Sequence, residues 1–188
     1  MDFDFSDDQD QLRDAVRKWV DKGYDFERRR KAVKAGGFDR AAYGQLAELG
    51  LTGLYVAEDQ GGMGMGPVEG MVVMEELGRG MVLEPIGQTL IASAVLASYA
   101  PDAVKKDWLP KIAAGESLVV LAHQERTGRY NLSKCEAKAT LTQQKWVLEA
   151  TKSIVPCGDH ADAFIVPAMT GGKLALFLVE RTAPGVAT

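Results

Sequence analysis

The sequence has little of several features that would point directly to a class of protein. It contains two cysteines and two histidines in 188 residues, so neither a disulfide framework nor a zinc site with regular ligand spacing is predicted. Reduced thiols at Cys135 and Cys157 are typical of a cytoplasmic protein. The formal net charge of −4 gives no electrostatic reason to expect nucleic acid or an anionic membrane as a partner.

Long apolar runs are also missing. None approaches the ~18 residues of a membrane span, and residues 2–10, DFDFSDDQD, have neither the basic nor the apolar region of a signal peptide. A hydrophobic fraction of 46% with 26% charged residues is ordinary for a globular protein with a packed core. We therefore expect a protein without a membrane span, folded as one large domain or two small ones.

Residues 1–115 have the spacing of amphipathic helices. Ser6 and Gln9 form the S-x-x-Q pattern of a capping box. Asp39 is predicted to cap a second helix, and Pro67 to occupy the first position of a third.

Two further helices complete the predicted helical part. Residues 85–99 are largely apolar and predict a buried helix. Pro101 is predicted to begin a fifth helix, which Pro110 is expected to split or kink.

Two features of this part suggest ligand binding at first sight. The loop GGMGMG, residues 61–66, lacks the preceding strand and the following Lys-Ser/Thr of a phosphate-binding loop, so a tight turn between helices is the better interpretation. The basic residues 28–31 are interpreted as a solvated surface, with contact to an anionic, nucleotide-bearing substrate as the alternative.

After Gly115 the apolar period falls from about 3.6 to 2, which indicates strands. Residues 135–142 alternate cleanly. Gln143-Gln144 is a weak hairpin signal and Gly171-Gly172 a strong one. The chain is therefore predicted to be α+β, with an all-α domain over residues 1–115 and a β-domain over 116–188.

Neither histidine predicts a metal site. His123 and His160 lack a second ligand at helical spacing and a nearby cysteine pair. His123 ends the apolar run LVVLA, where a half-buried structural histidine is the ordinary interpretation. No nucleophile motif is present, so residue chemistry alone leaves the activity open.

Six segments, in a consistent order, carry a resemblance to a known family. They are LAELGLTGLYVAEDQGG (46–62), EELGRGMVLEPIGQTL (75–90), DWLPKIAAGESLVVLA (107–122), GRYNL (128–132), KSIVPCGDHAD (152–162) and LALFLVERTAPGV (174–186). Together they resemble the acyl-CoA dehydrogenases. The second segment is most similar to small subunits of pimeloyl-CoA dehydrogenase-like enzymes.

The resemblance implies a homo- or hetero-oligomeric flavoenzyme with an N-terminal helical domain, a middle antiparallel β-barrel and a C-terminal four-helix bundle. Such enzymes bind FAD and oxidise an acyl-CoA to the 2-enoyl-CoA. A carboxylate removes the α-proton, the β-hydride passes to the flavin, and an electron-transfer flavoprotein accepts the electrons. Other flavin chemistry, by an oxidase or monooxygenase, is a weaker alternative.

The resemblance also implies site residues. Flavin-binding positions fall on His123, Gln124, Ile154 and Pro156, and substrate-binding positions on Gln88, near the acyl pocket, and Tyr130, near the CoA pyrophosphate. The catalytic base is expected in the C-terminal domain, so no residue of this chain is assigned to it.

Several of these positions depart from the family pattern. Where members read T-E-P-x-x-G-S-D, the chain has Gln124 for the threonine and Tyr130 for the serine. Where they read W-I-T-N, Ile154 replaces the tryptophan, and Pro156 replaces a threonine that bonds the flavin. Proline has no N–H to donate.

The length of the chain is the largest departure. The C-terminal bundle has no counterpart, and the β-domain lacks its last strands. A truncated form of a longer dehydrogenase, inactive alone, is therefore expected. A non-catalytic structural subunit of a heteromeric dehydrogenase is the alternative.

Overall fold

The computed structural model describes residues 4–129 and 131–188. The chain divides into two compact units, Met1–Ser117 and Leu118–Thr188. The described part of the first unit is helical, and that of the second is built on a β-sheet.

The described part of the first unit contains six α-helices. They are α1 (Asp7–Gly23), α2 (Phe26–Lys34), α3 (Arg40–Glu48), α4 (Pro67–Arg79), α5 (Ile86–Tyr99) and α6 (Asp102–Ala113). Two short 3-10 turns, Leu51–Gly53 and Glu58–Gln60, lie between α3 and α4. None of the helices in the described ranges has the length and apolarity that crossing a membrane requires.

The predicted helix starts are confirmed. The Gln9 N–H donates to Ser6 Oγ at 3.3 Å, and the Ser6 N–H donates to Gln9 Oε1 at 3.0 Å, which completes the capping box of α1. The Asp39 carboxylate accepts from two N–H groups at the start of α3. Pro67 occupies the first turn of α4, where its missing N–H costs nothing.

Helix α2 was not predicted, and its stabilisation explains why. Ala32 is its one buried residue in the structure, so it lacks an apolar stripe. Arginines hold it instead: Arg28 Nε donates to Asp39 Oδ2 at 3.2 Å, and Arg29 donates to the Gly80 carbonyl at 2.9 Å. The basic cluster is therefore not simply a solvated surface, because two of its members bond neighbouring segments.

Helix α6 runs through Pro110 without the predicted split. A proline leaves the carbonyl four residues earlier without its helical donor. That residue, Lys106, is exposed, as is Pro110 itself. Water can therefore satisfy the freed carbonyl, and the helix continues.

The GGMGMG loop is a tight turn between helices, as predicted. The N–H groups of residues 62–65 all donate to backbone carbonyls of residues 53–57, at 2.8–3.1 Å. A Cβ at Gly62 would overlap the Val56 carbonyl oxygen, so this close approach requires glycine. Because these N–H groups are already paired, they cannot cradle a phosphate.

The second unit contains a five-stranded sheet in its described residues. Its strands are β1 (Val119–Leu121), β2 (Lys138–Thr142), β3 (Lys145–Glu149), β4 (Ala163–Thr170) and β5 (Lys173–Glu180). The predicted order, helices followed by a β-domain, is confirmed. The sheet is mixed rather than wholly antiparallel, because β1 and β2 both run parallel to β4. The segments that separate them from β4 are long enough for parallel crossovers.

Both predicted hairpin turns are present. Strand β2 pairs with β3 around Gln143-Gln144, and β4 pairs with β5 around Gly171-Gly172. All four turn residues have positive φ, between 50° and 75°, as a two-residue type I′ turn requires. The glycines adopt this conformation freely, whereas the glutamines do so at a cost.

Candidate functional site

The two stretches that the resemblance assigned to the flavin lie side by side in the second unit. The first stretch (residues 122–125) follows β1, and its Ala122 N–H still donates to the Ile165 carbonyl of β4 at 2.9 Å. The second stretch (residues 152–157) precedes β4. The Ser153 N–H donates to the Gln124 carbonyl at 2.9 Å. This backbone bond brings His123 and Gln124 into the same region as Ile154 and Pro156.

A buried carboxylate anchors the first stretch. Glu125 is 5% exposed. Its Oε2 accepts from the Glu136 N–H at 2.6 Å, and its Oε1 from the Ala137 N–H at 3.1 Å. Lys152 Nζ of the second stretch donates to the same Oε1 at 2.6 Å. One side chain therefore ties together the first stretch, the segment that leads into β2, and the second stretch.

The partners of Glu125 determine its ionisation. Burial alone would raise the pKa of this carboxyl, but the Lys152 ammonium and the two backbone N–H donors outweigh it. Together they lower the pKa from 4.5 to about 2. The Cys135 thiol lies 3.6 Å from Glu125 Oε1 and 3.8 Å from Lys152 Nζ, and burial raises its pKa. The cluster is therefore a carboxylate–ammonium pair beside a neutral thiol.

The second stretch has a strained backbone. Ile154 has a φ of 52° and Cys157 one of 55°. A positive φ is uncommon for any residue with a side chain and a clear outlier for a β-branched one. Ile154 is also 77% exposed, so burial of its own side chain does not compensate for the strain. Strained residues of this kind concentrate at ligand-binding and active sites.

The loop beyond the second stretch is fixed to the sheet. Arg181, just after β5, donates to the Gly158 carbonyl at 2.9 Å. Asp162 Oδ2 accepts from the Leu118 N–H at 2.7 Å, where β1 begins. The second stretch is therefore held at both ends, by its first residue, Lys152, and by the loop that follows it.

Backbone donors remain available along both stretches. Within the described residues, the N–H groups of His123 and Gln124 have no protein acceptor, and neither do those of Ile154 and Val155. His123 and Ile154 are exposed and Gln124 is half-buried. The site thus offers hydrogen-bond donors beside an exposed apolar side chain, an arrangement suited to a flat heteroaromatic group with acceptor atoms.

The two predicted substrate-binding residues lie elsewhere in the sequence, and each is taken by itself. Gln88 lies in the first turn of α5, half-buried, in the helical unit. Tyr130 lies outside the described residues. No group of three or more metal-ligating side chains is found in the part of the chain that the structure describes.

The ion pair between Glu125 and Lys152 was not predicted from the sequence. They stand 27 residues apart, and both are charged residues next to strand-like segments, where exposure is the usual expectation. A usable signal was present in the motifs themselves. Glu125 keeps the glutamate of the T-E-P pattern while its neighbours change.

Comparison with known proteins gives a consistent result. The family profile described as the acyl-CoA dehydrogenase N-terminal domain matches residues 6–116. The chain is 30% identical over 189 aligned residues to acyl-CoA dehydrogenase FadE12 of Mycobacterium tuberculosis (strain ATCC 25618 / H37Rv). That alignment covers 96% of this chain and 48% of the relative.

Solved structures extend the similarity over the second unit. The ChsE4-ChsE5 complex from Mycobacterium tuberculosis matches with a TM-score of 0.89 at 28% identity, over 100% of this chain and 50% of that chain. The Tcur3481-Tcur3483 steroid ACAD G363A variant matches with a TM-score of 0.87 at 27% identity, over 95% and 49%.

The chain spans about half the length of the relatives it matches. The matched half holds both the six-helix unit and the sheet that carries the two stretches. Since the family profile covers more than half of the chain, the chain belongs to the acyl-CoA dehydrogenase family.

Proposed function

We propose that this protein takes part in the FAD-dependent α,β-dehydrogenation of an acyl-CoA thioester to the 2-enoyl-CoA, and that the second unit supplies one wall of the flavin site. The observation that carries the proposal is the Ser153–Gln124 backbone bond. It places side by side the two stretches that resemble the flavin-binding segments of the family.

The residues of the two stretches fit a flavin in their donor chemistry. The N–H groups of His123, Gln124, Ile154 and Val155 have no acceptor among the described residues, and an isoalloxazine ring presents several acceptor atoms. Ile154 supplies an exposed apolar surface against which a flat ring packs. Pro156 contributes no donor, so the neighbouring Val155 N–H would take the place of the family's threonine. When bound, FAD would accept the hydride taken from the substrate.

The substrate side of the site is proposed from position. We assign Tyr130 to the CoA pyrophosphate arm and Gln88 to the acyl pocket. No residue of this chain is assigned as the base that removes the α-proton. A further polypeptide segment or a partner chain would supply it.

We further propose that the protein is a subunit of the pimeloyl-CoA dehydrogenase type and that it assembles as a homo- or hetero-oligomer. An electron-transfer flavoprotein would accept its electrons. A cytoplasmic location fits the two free cysteines.

The test begins with flavin. The purified protein is titrated with FAD and followed by flavin absorbance and by quenching of flavin fluorescence. It is then mixed anaerobically with acyl-CoA thioesters of short, medium and long chain. Binding of FAD, with bleaching of the flavin by one of the thioesters, supports the proposal. A protein that binds no FAD, alone or with any co-purifying dehydrogenase chain, contradicts it.

A second candidate function is a non-catalytic subunit that completes the site of a partner dehydrogenase. Two observations favour it. One of the similar structures is a complex of two different chains, ChsE4 and ChsE5, and Pro156 replaces a residue that bonds the flavin in the family. Co-purification with a second dehydrogenase chain, at one FAD per two chains, would favour this candidate. Full flavin occupancy in a homo-oligomer would exclude it.

A further inference from the structure

The buried pair of Glu125 and Lys152 joins the two stretches at a point that the flavin-binding positions themselves do not include. We infer that this pair is a positioning element, which fixes the register of the second stretch against the first and so orients the Ile154 side chain and its backbone donors. The inference rests on the proposed function, because it names how this chain shapes the proposed flavin site.

The pair connects the first stretch, the segment before β2 and the second stretch. Glu125 bonds the Glu136 and Ala137 N–H groups on one side, at 2.6 and 3.1 Å, and Lys152 on the other, at 2.6 Å. Its anchor on the β2 side is therefore backbone, which cannot swing away. Lys152, whose side chain is 7% exposed, is the variable partner, and its position sets where the second stretch begins.

Both side chains of the pair are also buried. An exposed lysine and carboxylate exchange partners with water at little cost, so they fix nothing. Here the two side chains are 7% and 5% exposed, and separating them would leave a charge buried without compensation. The pair therefore behaves as a fixed link rather than as a mobile surface contact.

Lys152 is followed in sequence by the bonded Ser153 and the strained Ile154. Ser153 follows Lys152 and makes the backbone bond to Gln124 at 2.9 Å. Ile154 follows Ser153 and holds a φ of 52° with 77% of its surface exposed. A strained conformation persists when surrounding contacts determine it. The contacts on the N-terminal side of Ile154 include the Ser153 bond and the Lys152–Glu125 pair, so the pair supports the strained position.

The test separates positioning from general stability with four variants. Lys152→Met removes the link. Lys152→Arg keeps a cation with altered geometry, and Glu125→Gln/Lys152→Met removes the link without leaving a buried charge. Lys173→Met changes an exposed lysine at the start of β5 and serves as the matched control. Each protein is measured for amide hydrogen exchange at Ser153 by NMR, for free energy of unfolding, and for FAD affinity.

A positioning role predicts that exchange at Ser153 is faster by about tenfold in Lys152→Met and in the double variant, with FAD affinity lowered about tenfold in both. The double variant recovers stability but not the slow exchange or the affinity. Lys152→Arg should show part of the slow Ser153 exchange and part of the FAD affinity of the wild type. Lys173→Met should leave the exchange rate and the affinity unchanged.

The outcomes that overturn the inference differ from those that overturn the proposed function. An unchanged Ser153 exchange rate in the double variant overturns the inference, whatever FAD does. So does a double variant that regains FAD affinity together with stability, because the pair would then be merely structural. A wild-type protein that binds no FAD overturns the proposed function, and the exchange measurement still decides whether the pair sets the backbone.

Discussion

Two glutamates, one in each unit, are buried to the same degree but differ in the hydrogen-bond donors around them. Glu125 of the β unit and Glu84 of the helical unit are each 5% exposed. Glu125 accepts hydrogen bonds from two backbone N–H groups and an ammonium. Neither carboxylate oxygen of Glu84 has a hydrogen bond of ordinary geometry within the described residues.

The pKa values of the two carboxyls move in opposite directions as a result. Burial raises the pKa of Glu84, and the nearby Tyr24 hydroxyl and Asp39 N–H offset this only in part. The partners of Glu125 outweigh its burial and lower its pKa to about 2. Burial therefore does not decide whether a carboxyl is charged. The hydrogen-bond donors around the carboxyl decide it, and Glu125, which has three of them, lies beside the candidate site.

Removing the cation should push Glu125 toward the situation of Glu84. In Lys152→Met the carboxylate stays buried without its ammonium, and we expect a loss of about 3–5 kcal/mol in the free energy of unfolding. Urea denaturation at pH 7 measures it. Glu125→Gln/Lys152→Met should recover most of the loss, since no unpaired charge remains. A loss below about 1 kcal/mol in Lys152→Met would mean that the pair is no stronger than a surface ion pair.

The acid limb of the stability curve should report Glu125 directly. Its pKa is lowered in the folded state, so its stabilising contribution is present above pH 4.5 and is lost as the pH falls toward about 2. The shift corresponds to about 3 kcal/mol. We expect the stability of wild type minus that of Glu125→Gln to shrink over this range. A difference that stays constant between pH 5 and pH 2 would contradict the assignment.

Glu84 should show the opposite sign. Its pKa is raised in the folded state, so folding favours the protonated form and stability is lost as the pH rises above the ordinary value of 4.5. Glu84→Gln stays neutral and should be more stable than wild type by about 1–2 kcal/mol at pH 8. The gain should vanish below pH 4.5. Glu75→Gln, at an exposed position of α4, is the matched control and should show no such gain.

What the sequence allowed us to predict follows the range of each interaction. The starts of α1, α3 and α4 depend on caps and a proline within four residues, so Ser6, Asp39 and Pro67 were sufficient. Helix α2 has a cap of the same kind, because Asp25 accepts from the Arg28 N–H at 2.8 Å. It lacks an apolar stripe, however, and its other bonds, to Asp39 and Gly80, reach beyond its own segment, so it was missed.

The same reasoning applies to the candidate site. The two stretches were found because each resembles a family segment that can be recognised from contiguous residues. The Glu125–Lys152 pair was not found, because no local pattern distinguishes a charged residue that is buried by a contact 27 positions away from one that faces solvent. Nor does a pattern show that Ile154 is left-handed, since isoleucine is among the residues least suited to that conformation.

The smallest expected effect comes from the strained backbone of Ile154. It measures how much stability the β unit loses to this strain at the site that Glu125 holds in place. In Ile154→Gly, glycine removes a left-handed penalty of about 1–2 kcal/mol but adds about 0.5–1 kcal/mol of unfolded-state entropy. The exposed side chain contributes little burial, so we expect a net gain of up to about 1 kcal/mol in the free energy of unfolding. Leu132→Gly is the matched control, because Leu132 is also 77% exposed but has no positive φ; it should lose stability. If both variants lose stability equally, Ile154 is not strained, and its conformation needs no support from the Glu125–Lys152 pair.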